Sequence, residues 1–195
     1  MCGRYYFGEK TKEALVREYG DPGTCVPTGE ITPGMDPLVI LERGGRPSPG
    51  TMHWGMQGFG GGLVINARAE EAEEKPMFSS GIRHRRLVIP AGKFYEWDRE
   101  HNKVEFDLPG AEIIYLAGLY DLSANREAFV ILTTKANASM MPVHDRMPLM
   151  IPGKEIGNWL ENGERTKDFL QSAMPQLRRR QDYEQLSLFG NVKGI

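Results

Sequence analysis

Apolar and polar positions alternate with a period near two through most of this chain, and turn residues interrupt the pattern every few positions. Gly3–Phe7 reads as a short strand. Further strand-like runs follow at Leu38–Leu41, Thr51–Met56, Leu63–Asn66, Arg86–Ile89, Lys93–Asp98, Val104–Leu108, Ile113–Leu119 and Ala128–Thr134. Gly44-Gly45-Arg46-Pro47 and Gly58-Phe59-Gly60-Gly61-Gly62 are separators, and residues 21–36, rich in Pro, Gly and Thr, read as a loop. A helix over Lys12–Tyr19 fits the period of 3.6, with Thr11 as its cap and Gly20 as its stop. The last quarter turns helical: Ile156, Trp159 and Leu160 share one face of a helix that Gly163 ends, and Phe169, Leu170 and Ala173 share another that ends before Pro175. The predicted class is α+β: a β-rich core forming a twisted sheet or partly closed barrel, with peripheral helices. The tail from Arg178 joins three arginines to an apolar Leu186–Phe189 and reads as a final strand or an ordered arm.

With 195 residues, 40% of them hydrophobic, the chain fits one domain with a sizeable core. The 23 Gly and 13 Pro agree with many turns and short strands. A net charge of −2 excludes a polycation, so any nucleic-acid binding must rest on a local basic patch. The two Cys, at 2 and 25, make no disulfide framework, and no apolar run approaches a membrane span. Charged residues from Arg4 to Glu13 leave no signal-peptide core. A cytoplasmic location follows as the expectation, in a reducing compartment that keeps thiols free.

The candidate chemistry begins at the N-terminus. Removal of Met1 before the small Cys2 would leave one residue carrying both a free α-amine and a thiol. With a pKa of about 7.8, roughly a third of such an amine is neutral at pH 7.5, against roughly 0.1% of a free Lys. An aldehyde meeting this residue can form a Schiff base with the amine, and the thiol can then close a five-membered thiazolidine ring. Ring closure is intramolecular and gains from high effective molarity.

Four other stretches carry candidate groups. Asn66-Ala67-Arg68-Ala69-Glu70 sits at a strand end, where Asn66 can orient a reactive group and Arg68 can grip a phosphate. Phe94-Tyr95-Glu96-Trp97 places one carboxylate in an aromatic run. On a strand, Glu96 points opposite Tyr95 and Trp97, and enclosure would suit it to general acid work. Pro142–Pro148 brackets His144 and Arg146 between prolines that stiffen the loop, and His is the usual proton shuttle at neutral pH. Arg83-His84-Arg85-Arg86 is a dense basic run that, with Arg4, Arg68 and Arg146, could form a phosphate-binding face. The four His show no metal-ligand spacing and Gly60-Gly61-Gly62 lacks a following Lys-Ser/Thr, so neither a metal nor a phosphate loop is indicated and no cofactor is expected.

Taken in order, Met1-Cys2-Gly3-Arg4-Tyr5, Asn66–Glu70, Arg85-Arg86 running into Ile89-Pro90-Ala91, Phe94–Trp97, Ala117-Gly118-Leu119-Tyr120, Thr133-Thr134 with Ala136-Asn137, and His144–Pro148 resemble the SOS-response-associated peptidases, also called abasic-site processing proteins. The resemblance spans about residues 2–152 and leaves 153–195 as a helical C-terminal part of one domain. It implies a β-rich fold with a single-stranded DNA groove and a covalent link between Cys2 and the ring-opened abasic sugar. Carried over by position, Cys2 is the nucleophile, Asn66 orients it, and Glu96 and His144 handle protons. Arg4, Arg68, Arg85, Arg86 and Arg146 become candidate DNA contacts. Trp54 either stacks on a base or packs in the core. The family is also credited with removing its own Met1. No interface signal is visible, so a monomer is expected, nucleoid-associated when bound to DNA.

Three departures concern the groove and not the chemistry: Trp54-Gly55-Met56-Gln57-Gly58 where the family often has Trp-Gly-Leu-Ile-Pro, a short stretch between Glu70 and Arg83, and Ala91-Gly92-Lys93. Two other classes stand beside this reading. An N-terminal-nucleophile amidohydrolase would also begin Met-Cys-Gly, and a passive single-strand binder would use only the basic and aromatic residues.

Overall fold

The computed structural model describes residues 2–123, 126–161 and 163–181. In chain order the elements are β1 (Tyr5–Phe7), α1 (Glu9–Tyr19), β2 (Gly29–Ile31), β3 (Leu38–Glu42), β4 (Pro47–Thr51), β5 (His53–Trp54), β6 (Met56–Gln57), β7 (Leu63–Val64) and β8 (Asn66–Arg68). They continue with α2 (Pro76–His84), β9 (Arg86–Ala91), β10 (Lys93–Trp97), β11 (Lys103–Asp107), β12 (Ile114–Ser123), β13 (Arg126–Lys135), β14 (Arg146–Pro148), α3 (Ile156–Glu161), α4 (Thr166–Leu170) and β15 (Arg178–Gln181).

Two sheets carry the fold. The smaller has the order β15-β11-β10-β1-β2; the larger runs β14-β13-β12-β9-β3-β4, with β5 and β8 joining β13 in parallel. Continuity between them comes from one corner. Strand β9 belongs to the large sheet and β10 to the small one, and Gly92 between them donates its N–H to the Tyr6 carbonyl at 2.8 Å. The protein is therefore α+β with helices at the periphery, as expected, and its sheets do not close into a barrel.

The register fixes which side chains face inward. Tyr5 stands opposite Phe94, and Phe94 opposite Phe106, so Tyr5, Phe94, Glu96, Val104 and Phe106 point to one face and all are buried. The alternate residues Tyr6, Lys93, Trp97 and Lys103 point to the other.

Several local expectations are corrected. Helix α1 starts at Glu9 with Gly8 as its cap, and Thr11 is a buried residue within it; Gly20, at φ +92°, does end it. The loop at 21–36 contains β2. Pro47 and Pro49 belong to β4, which lies at the edge of the large sheet, where a missing N–H leaves no ladder bond unmade. Helix α2 occupies a stretch to which the sequence reading assigns no element. Its Phe78 and Ile82 are buried, and at Gly81 an added Cβ would stand 2.9 Å from Leu119 and 3.0 Å from the Tyr120 carbonyl, so only glycine lets the helix lie this close to β12. Helix α4 ends at Leu170, short of Ala173. The tail begins as a strand, β15, while Leu186–Phe189 lies outside the described residues. Among the described residues no helix is long and apolar enough to cross a membrane.

Candidate active site

Cys2 precedes β1 and is 1% exposed. Its thiol points at the Arg4 carbonyl, 3.9 Å away. Burial, and then the negative charge of Glu96, push the thiol up from 9.0 to about 12. At neutral pH it is a protonated thiol.

Asn66 opens β8, which the parallel pairing with Ile131–Thr133 of β13 holds in place. The side chain is buried, and its Nδ2 donates to the Cys2 carbonyl at 3.1 Å. This bond links the large sheet to the residue at the head of β1. Asn66 Oδ1 is buried and has no hydrogen-bond partner among the described residues. Glu96 projects from β10 to the inner face, opposite Tyr95 and Trp97 as the alternation predicts, and is 4% exposed. Cys2, Asn66 and Glu96 are thus brought together from three elements far apart in sequence.

Trp54 lies in the core beside Tyr5. Its ring packs on Tyr5 with centroids 5.5 Å apart and stacks on Phe129 at 6.2 Å, and its Nε1–H donates to the Ile65 carbonyl at 3.0 Å. It is fully buried, which settles the choice between base stacking and core packing in favour of the core and corrects its assignment as a DNA contact.

His144 lies at the end of the turn before β14 and keeps part of its ring exposed. The Arg146 N–H donates to its Nδ1 at 2.9 Å. An amide can only donate, so in the neutral ring the proton sits on Nε2. Asp145 Oδ1 is also 3.0 Å from Nδ1, so protonation would exchange the amide for this carboxylate. Asn66 and His144 flank β13 through β8 and β14. Arg146 ties these strands together: Nη2 donates to Glu70 Oε2 at 2.8 Å and to the Thr133 carbonyl at 2.7 Å. The Arg146 guanidinium holds the Glu70 carboxyl below the usual range.

The predicted basic face is divided. Arg86 is 4% exposed and donates to the carbonyls of Trp159 (2.6 Å), Arg83 (2.7 Å), Ile82 (2.9 Å) and Leu160 (3.2 Å). It is an internal strut that caps α2 and anchors α3, not a phosphate ligand. Arg146 is likewise a buried strut. Arg85 binds Asp121 at 2.7 Å, Ser80 Oγ and the Tyr120 carbonyl. Arg68 is exposed and pairs with Glu71 at 2.9 Å. Arg4 pairs with Glu30 at 2.8 Å and lies over the Trp97 ring at 5.4 Å. Arg4, Arg68 and Arg85 therefore remain as predicted cations that solvent, and so a phosphate, can reach.

Tyr5 was not among the residues read as chemical. It is fully buried, and its hydroxyl has no hydrogen-bond partner among the described residues. Its place within the N-terminal motif was the only signal available. Among the described residues no group of His, Cys, Asp and Glu could hold a metal ion.

The chain is similar to proteins already known. The chain is 30% identical to the abasic site processing protein YoqW of Bacillus subtilis, over 89% of this chain and 86% of that one. It is 26% identical to the abasic site processing protein YedK of Escherichia coli, over 82% and 79% of the two chains. A crystal structure of a Bordetella bronchiseptica protein superposes with a TM-score of 0.78 at 21% identity, over 92% of this chain and 99% of that one. A Bacteroides thetaiotaomicron protein superposes with a TM-score of 0.77 at 19% identity, over 94% of each chain. The family model for the SOS response associated peptidases (SRAP) matches residues 1–189, and the chain belongs to that family.

Proposed function

We propose that this protein processes abasic sites in single-stranded DNA by forming a covalent thiazolidine between Cys2 and the ring-opened sugar. The observation that carries the reading is the joint placement of Cys2, Asn66 and Glu96, with Asn66 bonded to the Cys2 carbonyl. The names of the relatives, abasic site processing proteins, agree with it.

The chemistry needs no cofactor. Once Met1 is removed, by the protein itself or by an aminopeptidase, the Cys2 amine attacks the C1 aldehyde. Loss of water gives a Schiff base, and the thiol sulfur adds to the imine carbon. One C–S bond forms, the S–H proton ends on nitrogen, and nothing is oxidised or reduced. Glu96 favours the cationic iminium and disfavours thiolate, so it suits a relay that carries the thiol proton to nitrogen as the bond forms. In its neutral form His144 offers an Nε2–H donor for the sugar oxygens during ring opening. The same groups run the steps backwards, which makes release possible. Asn66 fixes the carbonyl of Cys2 and with it the direction of the amine. Arg4, Arg68 and Arg85 supply phosphate contacts.

The test is a denaturing gel of the protein with single-stranded DNA carrying one abasic site, beside intact DNA and Cys2→Ala. A denaturant-resistant band confined to wild type with abasic DNA is expected. Its absence, with mass spectrometry showing Met1 removed, overturns the reading. Glutamine hydrolysis would then favour an amidohydrolase, and salt-sensitive binding insensitive to Cys2→Ala would favour a passive binder.

A further inference from the structure

Asn137 stands just beyond β13, at the start of the loop that carries His144, and the proposed chemistry gives it no part. Its half-buried side chain is fully engaged. Oδ1 accepts from the Ser139 N–H at 3.0 Å and from Ser139 Oγ at 2.6 Å, while Nδ2 donates to the carbonyls of Met174 at 3.1 Å and Pro175 at 2.8 Å. The bonds to Ser139 make a local turn that an aspartate would make as well. The bonds to Met174 and Pro175 need an amide, because a carboxylate has no proton to give a carbonyl. The residue type is therefore set by the second pair.

On one side of those bonds lies His144. The Asn137 carbonyl accepts from the N–H groups of Met140 at 3.1 Å and Met141 at 2.9 Å, and the Met140 carbonyl accepts from the His144 N–H at 3.1 Å. The Ala136 N–H donates to the Asp145 carbonyl at 2.9 Å and closes the base of the loop. On the other side lies Glu96. Residues 174–177 run directly into β15, and the Leu177 N–H adds a further tie to Ser139 Oγ at 3.0 Å. Strand β15 pairs with β11, and β11 with β10, where Val104 stands opposite Glu96. At the end of β15, Gln181 Nε2 donates to Asp98 Oδ2 at 2.8 Å, two residues beyond Glu96. The Asn137 amide thus joins the His144 loop, which leads into the large sheet, to the sheet that carries Glu96.

Two groups that pass protons to one sugar must keep their spacing, and a displacement of about 1 Å can cost a hundredfold in rate. We propose that Asn137 is a positioning residue, which ties the His144 loop to residues 174–177 and so holds the His144 ring in place relative to Glu96. The inference rests on the reading of His144 as a proton-handling group.

The experiment follows the ring nitrogens of His144 by nitrogen-15 NMR at a pH of about 9, where an imidazole is neutral. The signals are identified by their loss in His144→Ala. The parent is expected to show the Nε2–H form with an accepting Nδ1, as the Arg146 N–H bond at 2.9 Å requires. In Asn137→Ala both signals should move toward those of a free imidazole. Asn137→Asp keeps the turn at Ser139 and loses the donor to the carbonyls, so it should move them too. Unchanged signals in both variants overturn the proposal. Signals that move in Asn137→Ala but not in Asn137→Asp assign the effect to the turn, which also overturns it.

Crosslinking to abasic single-stranded DNA is measured in parallel. Asn137→Ala should slow it roughly tenfold while binding to intact DNA stays within about twofold. In a His144→Ala background the same substitution should slow it less than about twofold, because the residue acts through His144. Equal slowing in both backgrounds would mean a general structural role and overturns the proposal. If the parent crosslinks and the His144 signals never move, the Asn137 inference alone fails. If the parent forms no crosslink but both variants move the signals, the DNA reading fails and the tie to His144 stands.

Discussion

The two faces of β10 are built from neighbouring residues and obey opposite rules. The outer face carries Lys93, Tyr95 and Trp97, and its cations are paired: Lys93 with Glu105 at 2.5 Å, Arg4 with Glu30 at 2.8 Å, and Lys103 with Glu30 while lying 3.9 Å over the Tyr95 ring. The inner face carries Phe94 and Glu96, beside a protonated thiol and two polar atoms without partners among the described residues, Tyr5 Oη and Asn66 Oδ1. Exposed pairs such as those outside contribute at most about 1 kcal/mol each and tolerate change. Buried polar groups inside cost stability wherever they are unsatisfied, and the inner face is where the proposed chemistry lies. Residues one apart in sequence thus differ more than Phe94 and Phe106, twelve apart on the same face.

The sharpest way to break this contrast is Cys2→Ser. The variant keeps the amine and can still make a Schiff base, but its hydroxyl is a poor nucleophile for ring closure. Loss of the stable crosslink by at least about a thousandfold is expected on a denaturing gel. Alkaline titration of the fold probes the same thiol. Its folded-state value is raised, so its contribution is fully present below the unfolded value and is lost as pH rises from 9.0 toward about 12. Cys2→Ala should therefore lose less stability than wild type over that window in urea melts at stepped pH.

Glu96→Gln comes next, and it carries two opposed signs. Removing the carboxylate should slow crosslinking roughly a hundredfold, as for loss of a proton-transfer group. It should also lower the Cys2 thiol, because the Glu96 charge is one of the two causes that raise it. A thiol that alkylates faster and crosslinks more slowly would show that the carboxylate serves the reaction and not the thiolate population. Faster alkylation with unchanged crosslinking would remove Glu96 from the proton relay.

These residues also show what was legible in the chain. Period-two alternation placed Glu96 opposite Tyr95 and Trp97, and the aromatic run around it made an enclosed carboxylate conceivable without deciding it. The joint placement was not legible from patterning, because Cys2, Asn66 and Glu96 meet only through strand order. The basic residues misled for a physical reason. Sequence shows charge but not solvation: Arg86 begins a strand whose residues are all buried, and its guanidinium is consumed by backbone carbonyls at the ends of α2 and α3. Helix α2 was missed because Gly81, which lowers helix propensity, is there for close contact with β12.

Arg86→Met tests the strut directly. It fills similar volume and leaves up to four carbonyls without their donor. Destabilisation of about 3 kcal/mol is expected, a fall in thermal midpoint of roughly 6–12 °C for a chain of this size. The salt dependence of DNA binding should not move. A reduced salt slope at unchanged stability would return Arg86 to the DNA interface.

The smallest effects belong to Arg4→Ala and Arg68→Ala. Each should leave stability within about 0.5 kcal/mol, because both guanidiniums are exposed and singly paired. Each should lower the salt slope of single-strand binding by about 0.7, the loss of one phosphate contact. The two need not weigh equally. Arg4 is held in place by the Trp97 ring and Glu30 two residues from Cys2, so its charge is fixed close to the reacting group. Arg68 pairs with Glu71, which Lys75 also engages, so a phosphate must compete for it. Arg4→Ala should therefore slow crosslinking as well as weaken binding, while Arg68→Ala should weaken binding alone. Equal effects of both variants on binding and on rate would mean that position relative to Cys2 is immaterial, and that Arg4 beside the small sheet and Arg68 on the large one act on DNA as one charged surface.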